Sequence, residues 1–256
     1  MAADTAIKQK LDVSEAEWQA RVDLAALYRL VAMNGWDDLI FTHISARIPG
    51  PEHHFLINPY GMLFEEVTAS SLVKVDLEGE IVGESDYRIN PAGFTIHSAI
   101  HAARDDAMVV IHLHTNQGVA VSAQKDGLLP ITQTAMIAMG EIAYHDYEGV
   151  ALDLDERERI VADLGDKHAM ILRNHGTLTV GESAADAYQR MFFLERACAM
   201  QIMAQAGGGE LLYCGDNLQK KVEGQSPVGG MAKLADKLVW PALLRKLNRE
   251  CPDYAS

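Results

Sequence analysis

Two kinds of hydrophobic spacing alternate along this sequence, and that alternation constrains the fold more than any other feature. Apolar residues recur at helical intervals over Ala92–Arg104, over Glu156–Leu164 and after Ser183. Met108–His114 and His168–Arg173 are instead short apolar runs that stop abruptly at polar residues. Strand-like pieces separated by helices predict an α/β protein, and histidine sits at the end of the first run and on the turn after the second.

The N-terminal third fits the same class. Ser14 with Glu17 has the form of a capping box, and Trp18, Val22, Ala25, Leu27, Leu30 and Val31 continue at helical spacing to Asn34-Gly35. Short β-like segments follow at Thr42–Ile48, His54–Ile57 and Leu72–Asp76, the last turning through Glu78-Gly79 into Ile81-Val82. This predicts a helix feeding a mostly antiparallel sheet. Ser183 and Asp186 start a long helix that the glycines at 207–209 stop. Gly215–Val228 is polar and glycine-rich, and Met231–Leu247 predicts a terminal helix interrupted near Pro241. The expected organisation is one domain over 14–210, then a C-terminal extension over 211–256 that packs on the domain or on a neighbouring subunit.

Composition narrows the function. The chain has 256 residues, enough for one substantial core, with 48% hydrophobic and 23% charged residues. A net charge of −14 with scattered Lys and Arg argues against nucleic acid or anionic lipid as partner. Three cysteines without ligand-like spacing, Cys198, Cys214 and Cys251, read as free thiols of a reducing compartment. Met1–Asp12 has no apolar run behind Lys8 and Lys10, and nowhere is an apolar stretch long enough to span a bilayer, so a cytoplasmic location is expected.

The chemistry is carried by histidines. In Val109-Val110-Ile111-His112-Leu113-His114 two imidazoles stand two residues apart on a strand, hence on one face, with Cα atoms about 6.6 Å apart. His175, on the turn after the second apolar run, can supply a third nitrogen, and three protein ligands with an open fourth position is a common catalytic zinc arrangement. His97 and His101, four apart on a predicted helix, form a rival pair, although Ser98 stands where a helical metalloprotease motif has an acid. Spacing alone leaves both pairs open.

The run Asn90-Pro91-Ala92-Gly93-Phe94 through His97, then Val110–His114, then Gly140-Glu141-Ile142-Ala143-Tyr144-His145-Asp146-Tyr147, then Leu172-Arg173-Asn174-His175-Gly176, resembles the class II aldolase/adducin family, and within it the adducin head. The resemblance runs from about the first helix to the glycines at 207–209. It implies a single-domain α/β/α sandwich around a central, mainly antiparallel sheet, assembled as a homotetramer with active sites at subunit interfaces. It also implies that His112, His114 and His175 bind one divalent metal ion: Zn²⁺ first, with Mn²⁺, Fe²⁺ or Co²⁺ as alternatives. His97 and His101 then belong to a helix packed beside the site.

The resemblance also marks departures. The acid/base glutamate of the family's aldolases would stand at Gly93, which has no side chain to titrate. Their phosphate-gripping turns fall on Thr42-His43-Ile44-Ser45, Tyr60-Gly61 and Pro91-Ala92, where only Ser45 and Gly61 retain the family's residues. No tyrosine occurs in Pro130–Met136, where a neighbouring subunit's proton donor would fall. The expected substrate is therefore a small, non-phosphorylated hydroxy-carbonyl compound or hydroxy- or keto-acid. His145 and Tyr144, with Tyr147 nearby, are the candidates for proton transfer, Arg173 for gripping a substrate carboxylate, and Ser45 and Gly61 for substrate contact. Glu65 and Glu66 read as solvated. The expected activity is a metal-dependent lyase (aldol-type cleavage, decarboxylation or dehydration), with a sugar epimerase or a non-catalytic adducin-like interaction domain as alternatives.

Overall fold

The structure, a computed structural model, describes residues 11, 13–149, 155–225 and 232–256; the side chains at 91–94 and 223 lie outside the description. Helix α1 (Glu15–Met33) begins at the predicted cap, where Ser14 Oγ accepts the Glu17 N–H at 3.1 Å. Seven strands follow in sequence: β1 (His43–Arg47), β2 (Phe55–Ile57), β3 (Val73–Val75), β4 (Val109–Leu113), β5 (Ile142–His145), β6 (Ala169–Leu172) and β7 (Gly176–Gly181). They form one sheet in the order β3-β2-β1-β4-β7-β6-β5. Every adjacent pair is antiparallel except β5 with β6, which matches the mainly antiparallel sheet expected.

Helices cover both faces. Strand alternation sends Val109, Ile111 and Leu113 of β4 into a core shared with α1 and with α6 (Ala184–Ala206), the long helix capped by Ser183. Val110, with Leu178 and Val180 of β7, packs on the opposite face against Ile96 and Ile100 of α2 (Pro91–Ala103) and Ile160 and Leu164 of α5 (Glu156–Leu164). Gly93, the vacant acid/base position, falls in the first turn of α2, among the side chains outside the description. Two helices of seven residues, α3 (Asn116–Ser122) and α4 (Gln133–Met139), start at Thr115 and Thr132, whose hydroxyls accept the N–H of Gly118 and Ala135.

The C-terminal residues enter the first core. Ala235, Trp240, Leu247 and Tyr254 are buried with α1, and Arg29 reaches Asp253 at 2.8 Å. The polar, glycine-rich stretch after Gly215, to which the sequence assigned no element, contains a helix, α7 (Asp216–Gln225). The terminal helix is interrupted as predicted near Pro241. A wide π turn over Ala235–Val239 precedes α8 (Trp240–Glu250), sparing the proline ring a collision with the carbonyl four residues back. Among the described residues, no helix is long and apolar enough to cross a membrane.

Candidate metal centre

The site forms where β4 ends and β7 begins. His112 is the next-to-last residue of β4, His114 lies just beyond its end, and His175 sits on the turn between β6 and β7, after Asn174 in the left-handed region at φ 56°. Thr177 of β7 pairs with Leu113 of β4, which brings the turn alongside the strand end. One nitrogen from each of the three histidines lies within 4.8 Å of the others, and each pair of ring centroids is 4.8 Å apart. The structure therefore brings together the three histidines that the sequence singled out.

The outer nitrogens are anchored. His112 Nδ1 faces the Thr177 carbonyl at 3.0 Å, and His114 Nδ1 faces the Asp38 carboxylate at 3.1 Å. Both acceptors lack a proton, so each Nδ1 is a donor, and in the neutral ring Nε2 is left as a bare lone pair. Those two Nε2 atoms approach to 3.0 Å. Two lone pairs held together in this way, with a third imidazole beside them, are matched by a cation and by little else; carboxylate and carbonyl partners of this kind commonly orient zinc-ligating histidines. Burial and the neighbouring imidazoles push the His175 pKa down to about 4, keeping its ring in the form that can donate a lone pair. Asp38 was not among the sequence candidates: it lies in an irregular segment between α1 and β1 with no motif around it.

The remaining candidates are distributed unevenly. His145, at the end of β5, is on the same face as His112 and 3% exposed, with Nδ1 2.7 Å from Asp163 and Nε2 3.4 Å from Glu156, both on α5. Its ring is among the neighbours that lower the His175 pKa, after burial and His114. Tyr144 points to the other face, as alternation requires; its hydroxyl accepts the Leu128 N–H at 3.1 Å and its ring packs on Gly127. The expectation that Tyr144 transfers protons beside His145 is corrected on that ground, and Tyr144 is a packing residue.

Arg173 stacks its guanidinium 4.3 Å from the centre of the Tyr144 ring and donates to the Gln124 carbonyl at 2.8 Å. It lines an open cleft of about 580 Å³ together with Gln124, Lys125, Asp146, Tyr147 and Asn174. The cleft adjoins the histidines, since Tyr147 has its ring 6.4 Å from that of His175. Gly61 is an exposed turn residue at φ 98°. Ser45 is wholly buried, its hydroxyl engaged by His97 Nδ1 at 2.6 Å and His101 Nε2 at 2.7 Å. The expectation that Ser45 contacts substrate is corrected, because both sides of its hydroxyl are occupied by histidines of α2. Glu65 and Glu66 lie exposed in a single 3₁₀ turn, as expected.

Comparison with known proteins places this geometry. Residues 22–202 match the family described as Class II Aldolase and Adducin N-terminal domain. The crystal structure of an aldolase II superfamily protein from Pseudomonas syringae shares 55% identity at a TM-score of 0.89, covering 96% of this chain and 98% of that one. An L-fuculose 1-phosphate aldolase from Glaciozyma antarctica PI12 shares 29% identity at a TM-score of 0.81, covering 94% and 92%. Alpha-adducin from Rattus norvegicus is 49% identical over 212 residues, which are 81% of this chain and 29% of that protein. With its sheet order, its histidine cluster and a match across most of its length, this chain belongs to the class II aldolase and adducin family.

Proposed function

We propose that the protein is a metal-dependent lyase acting on a small, non-phosphorylated hydroxy-carbonyl compound or hydroxy- or keto-acid. The observation that carries this reading is the convergence of His112, His114 and His175 with two of their outer nitrogens anchored by Asp38 and the Thr177 carbonyl. A divalent ion held by these nitrogens, zinc before manganese, iron or cobalt, supplies an electrophile that stabilises negative charge developing on a substrate oxygen.

The chain's own side chains supply the rest. His145, oriented by Asp163 through Nδ1, is the group assigned to proton transfer, in the way a carboxylate orients a catalytic imidazole. Arg173 keeps guanidinium N–H groups at the open cleft for a substrate carboxylate, braced by the Tyr144 ring and the Gln124 carbonyl. Absence of phosphate from the substrate is supported by the commitment of the Ser45 hydroxyl to two histidines and by the burial of His43 beside it. Exposed apolar side chains such as Leu212 and Met203 support a homo-oligomer, which we take to be a tetramer and place in the cytoplasm as part of the same proposal.

The test is to purify the protein, measure its metal by mass spectrometry, and screen small hydroxy- and keto-acids for metal-dependent products, with sugar phosphates alongside. Cleavage of unphosphorylated compounds is expected; equal turnover of sugar phosphates defeats the substrate claim. A second reading, a non-catalytic interaction domain, is favoured by the identity with alpha-adducin, and a fully metal-loaded protein inactive on the whole panel would select it. An epimerase differs in its products, which chromatography separates.

A further inference from the structure

Beneath the histidine cluster, on the α2 face of the sheet, runs a buried chain of hydrogen bonds with a fixed direction. His101 Nδ1 faces the Ala107 carbonyl at 2.8 Å, so that nitrogen must donate. His101 is fully buried with the Arg47 guanidinium beside it, and its pKa is pushed down to about 3, so the ring is neutral and Nε2 carries a lone pair. The Ser45 hydroxyl therefore donates to His101 Nε2 and accepts from His97 Nδ1. Each link dictates the next, and the last consequence falls on His97: with its proton on Nδ1, Nε2 is a bare acceptor.

That acceptor is wholly buried and has no hydrogen-bond partner among the described residues. The same holds for both ring nitrogens of His43, whose ring stands edge-on to His97 with centroids 6.0 Å apart. His43 is the direct cross-strand partner of His112, and burial with the neighbouring His114 ring pushes the His43 pKa down to about 3, so its ring is neutral. Buried polar atoms almost always find partners, so an unpaired group beside a candidate metal centre calls for a bound water or a ligand. A neutral His43 offers one N–H and one lone pair, and His97 offers only a lone pair. A hydroxyl fits this set, giving its proton to His97 and accepting one from His43. A carboxylate oxygen or a dianionic phosphate has no proton to give and meets the His97 lone pair unfavourably.

We propose that His97 Nε2, locked as an acceptor by the Ser45–His101–Ala107 chain, forms with His43 a subsite that binds an uncharged substrate hydroxyl next to His112 and rejects anionic oxygens. This deepens the lyase reading, on which its place beside a substrate rests, by requiring a free hydroxyl beyond the group that contacts the metal.

Two measurements on the zinc-loaded protein test it. Nitrogen-15 NMR of histidine-labelled protein, with His97 assigned by its loss in His97→Gln, reads the tautomer directly. A proton on Nδ1 and a bare Nε2 are expected; a proton on Nε2 overturns the proposal. Calorimetry then compares glycerate with lactate, which lacks one hydroxyl, and with 3-phosphoglycerate. Glycerate is expected to bind about tenfold tighter than lactate, the worth of one net hydrogen bond. That preference should vanish in His97→Phe with zinc content unchanged, and partly return in His97→Gln. Equal affinity for glycerate and lactate leaves the lone pair to bound water and overturns the proposal, as does tighter binding of 3-phosphoglycerate. If the protein holds no zinc, the metal-centre reading fails by itself, and the same tautomer and ligand comparisons on the metal-free protein still decide the role of His97.

Discussion

The α2 face of the sheet carries two groups of histidines that use their ring nitrogens in opposite ways. At the end of β4, His112 and His114 direct Nδ1 outward to a carbonyl and a carboxylate, and their Nε2 atoms converge. On the inner side of α2, His97 and His101 share the Ser45 hydroxyl, and His101 is closed off by the Ala107 carbonyl. What differs is the far-side partner. Acceptors placed outside the first group drive its lone pairs together, whereas the Ser45 hydroxyl placed inside the second takes up the His101 lone pair and leaves that of His97 pointing away from it. Both groups are built from imidazoles; the placement of a few acceptors decides which one can hold a cation.

The largest expected effect separates the groups by metal affinity. His114→Ala should weaken zinc binding by more than the ~10–100-fold that loss of an outer partner costs. The metal-free variant should melt close to the wild type, because the His114 side chain is 27% exposed and fills little of the core. Mass spectrometry after dialysis gives the first number and a thermal scan the second; retention of full zinc occupancy would break the distinction at its stronger end. Ser45→Ala should do the reverse. It strands His97 Nδ1 and His101 Nε2 in a fully buried place, so a stability loss of about 2–3 kcal/mol is expected, with zinc affinity preserved. An unchanged urea midpoint would show that the buried chain carries no weight.

This contrast also explains what the sequence revealed. Residues 112 and 114 were legible because alternation on a strand fixes which side chains share a face, α1 and α6 because a capping serine opens a helical period, and α5 from its period alone. His175 needed the family resemblance, since no local pattern says that the turn before β7 lies against the end of β4. Ser45 was misplaced for a related reason: its role depends on the β1–β4 register and on α2 lying above it, neither of which is local. β5 was missed because it is four residues long and ends in tyrosine and histidine, so it reads as a polar segment. α7 was missed because a glycine-rich, polar stretch has little apolar period to detect.

Asp38 sharpens the comparison within the first group. It is the far-side acceptor for His114, and Asp38→Ala should cost zinc affinity near the lower end of the ~10–100-fold range. The low end is expected because the carboxylate is 43% exposed and water can take its place. Thr177 supplies the corresponding acceptor for His112 from its backbone, which substitution cannot remove, so His112 should be the less sensitive of the two to outer changes. Competition with a fluorescent zinc chelator measures this; unchanged affinity would mean that the Asp38 contact does not orient the ring.

The smallest effect lies on the opposite face, under both histidine-bearing segments. Glu195 of α6 is buried and takes the hydroxyls of Thr115, next to His114, and of Thr177, two residues beyond His175, the latter at 2.5 Å. Burial raises its carboxyl pKa, with the two threonine hydroxyls opposing. The unfolded chain then gives up this proton at lower pH than the folded protein does, so the native state binds more protons in between. Stability must therefore fall as pH rises from the ordinary carboxylate range towards the raised folded value. Glu195→Gln cannot ionise, and its stability relative to the wild type should climb across that interval and level off above it, by less than the Ser45→Ala loss. Urea midpoints taken from pH 4 to pH 8 give the slope; parallel curves for the two proteins would show that Glu195 is already ionised throughout, held as a carboxylate by the same two threonines.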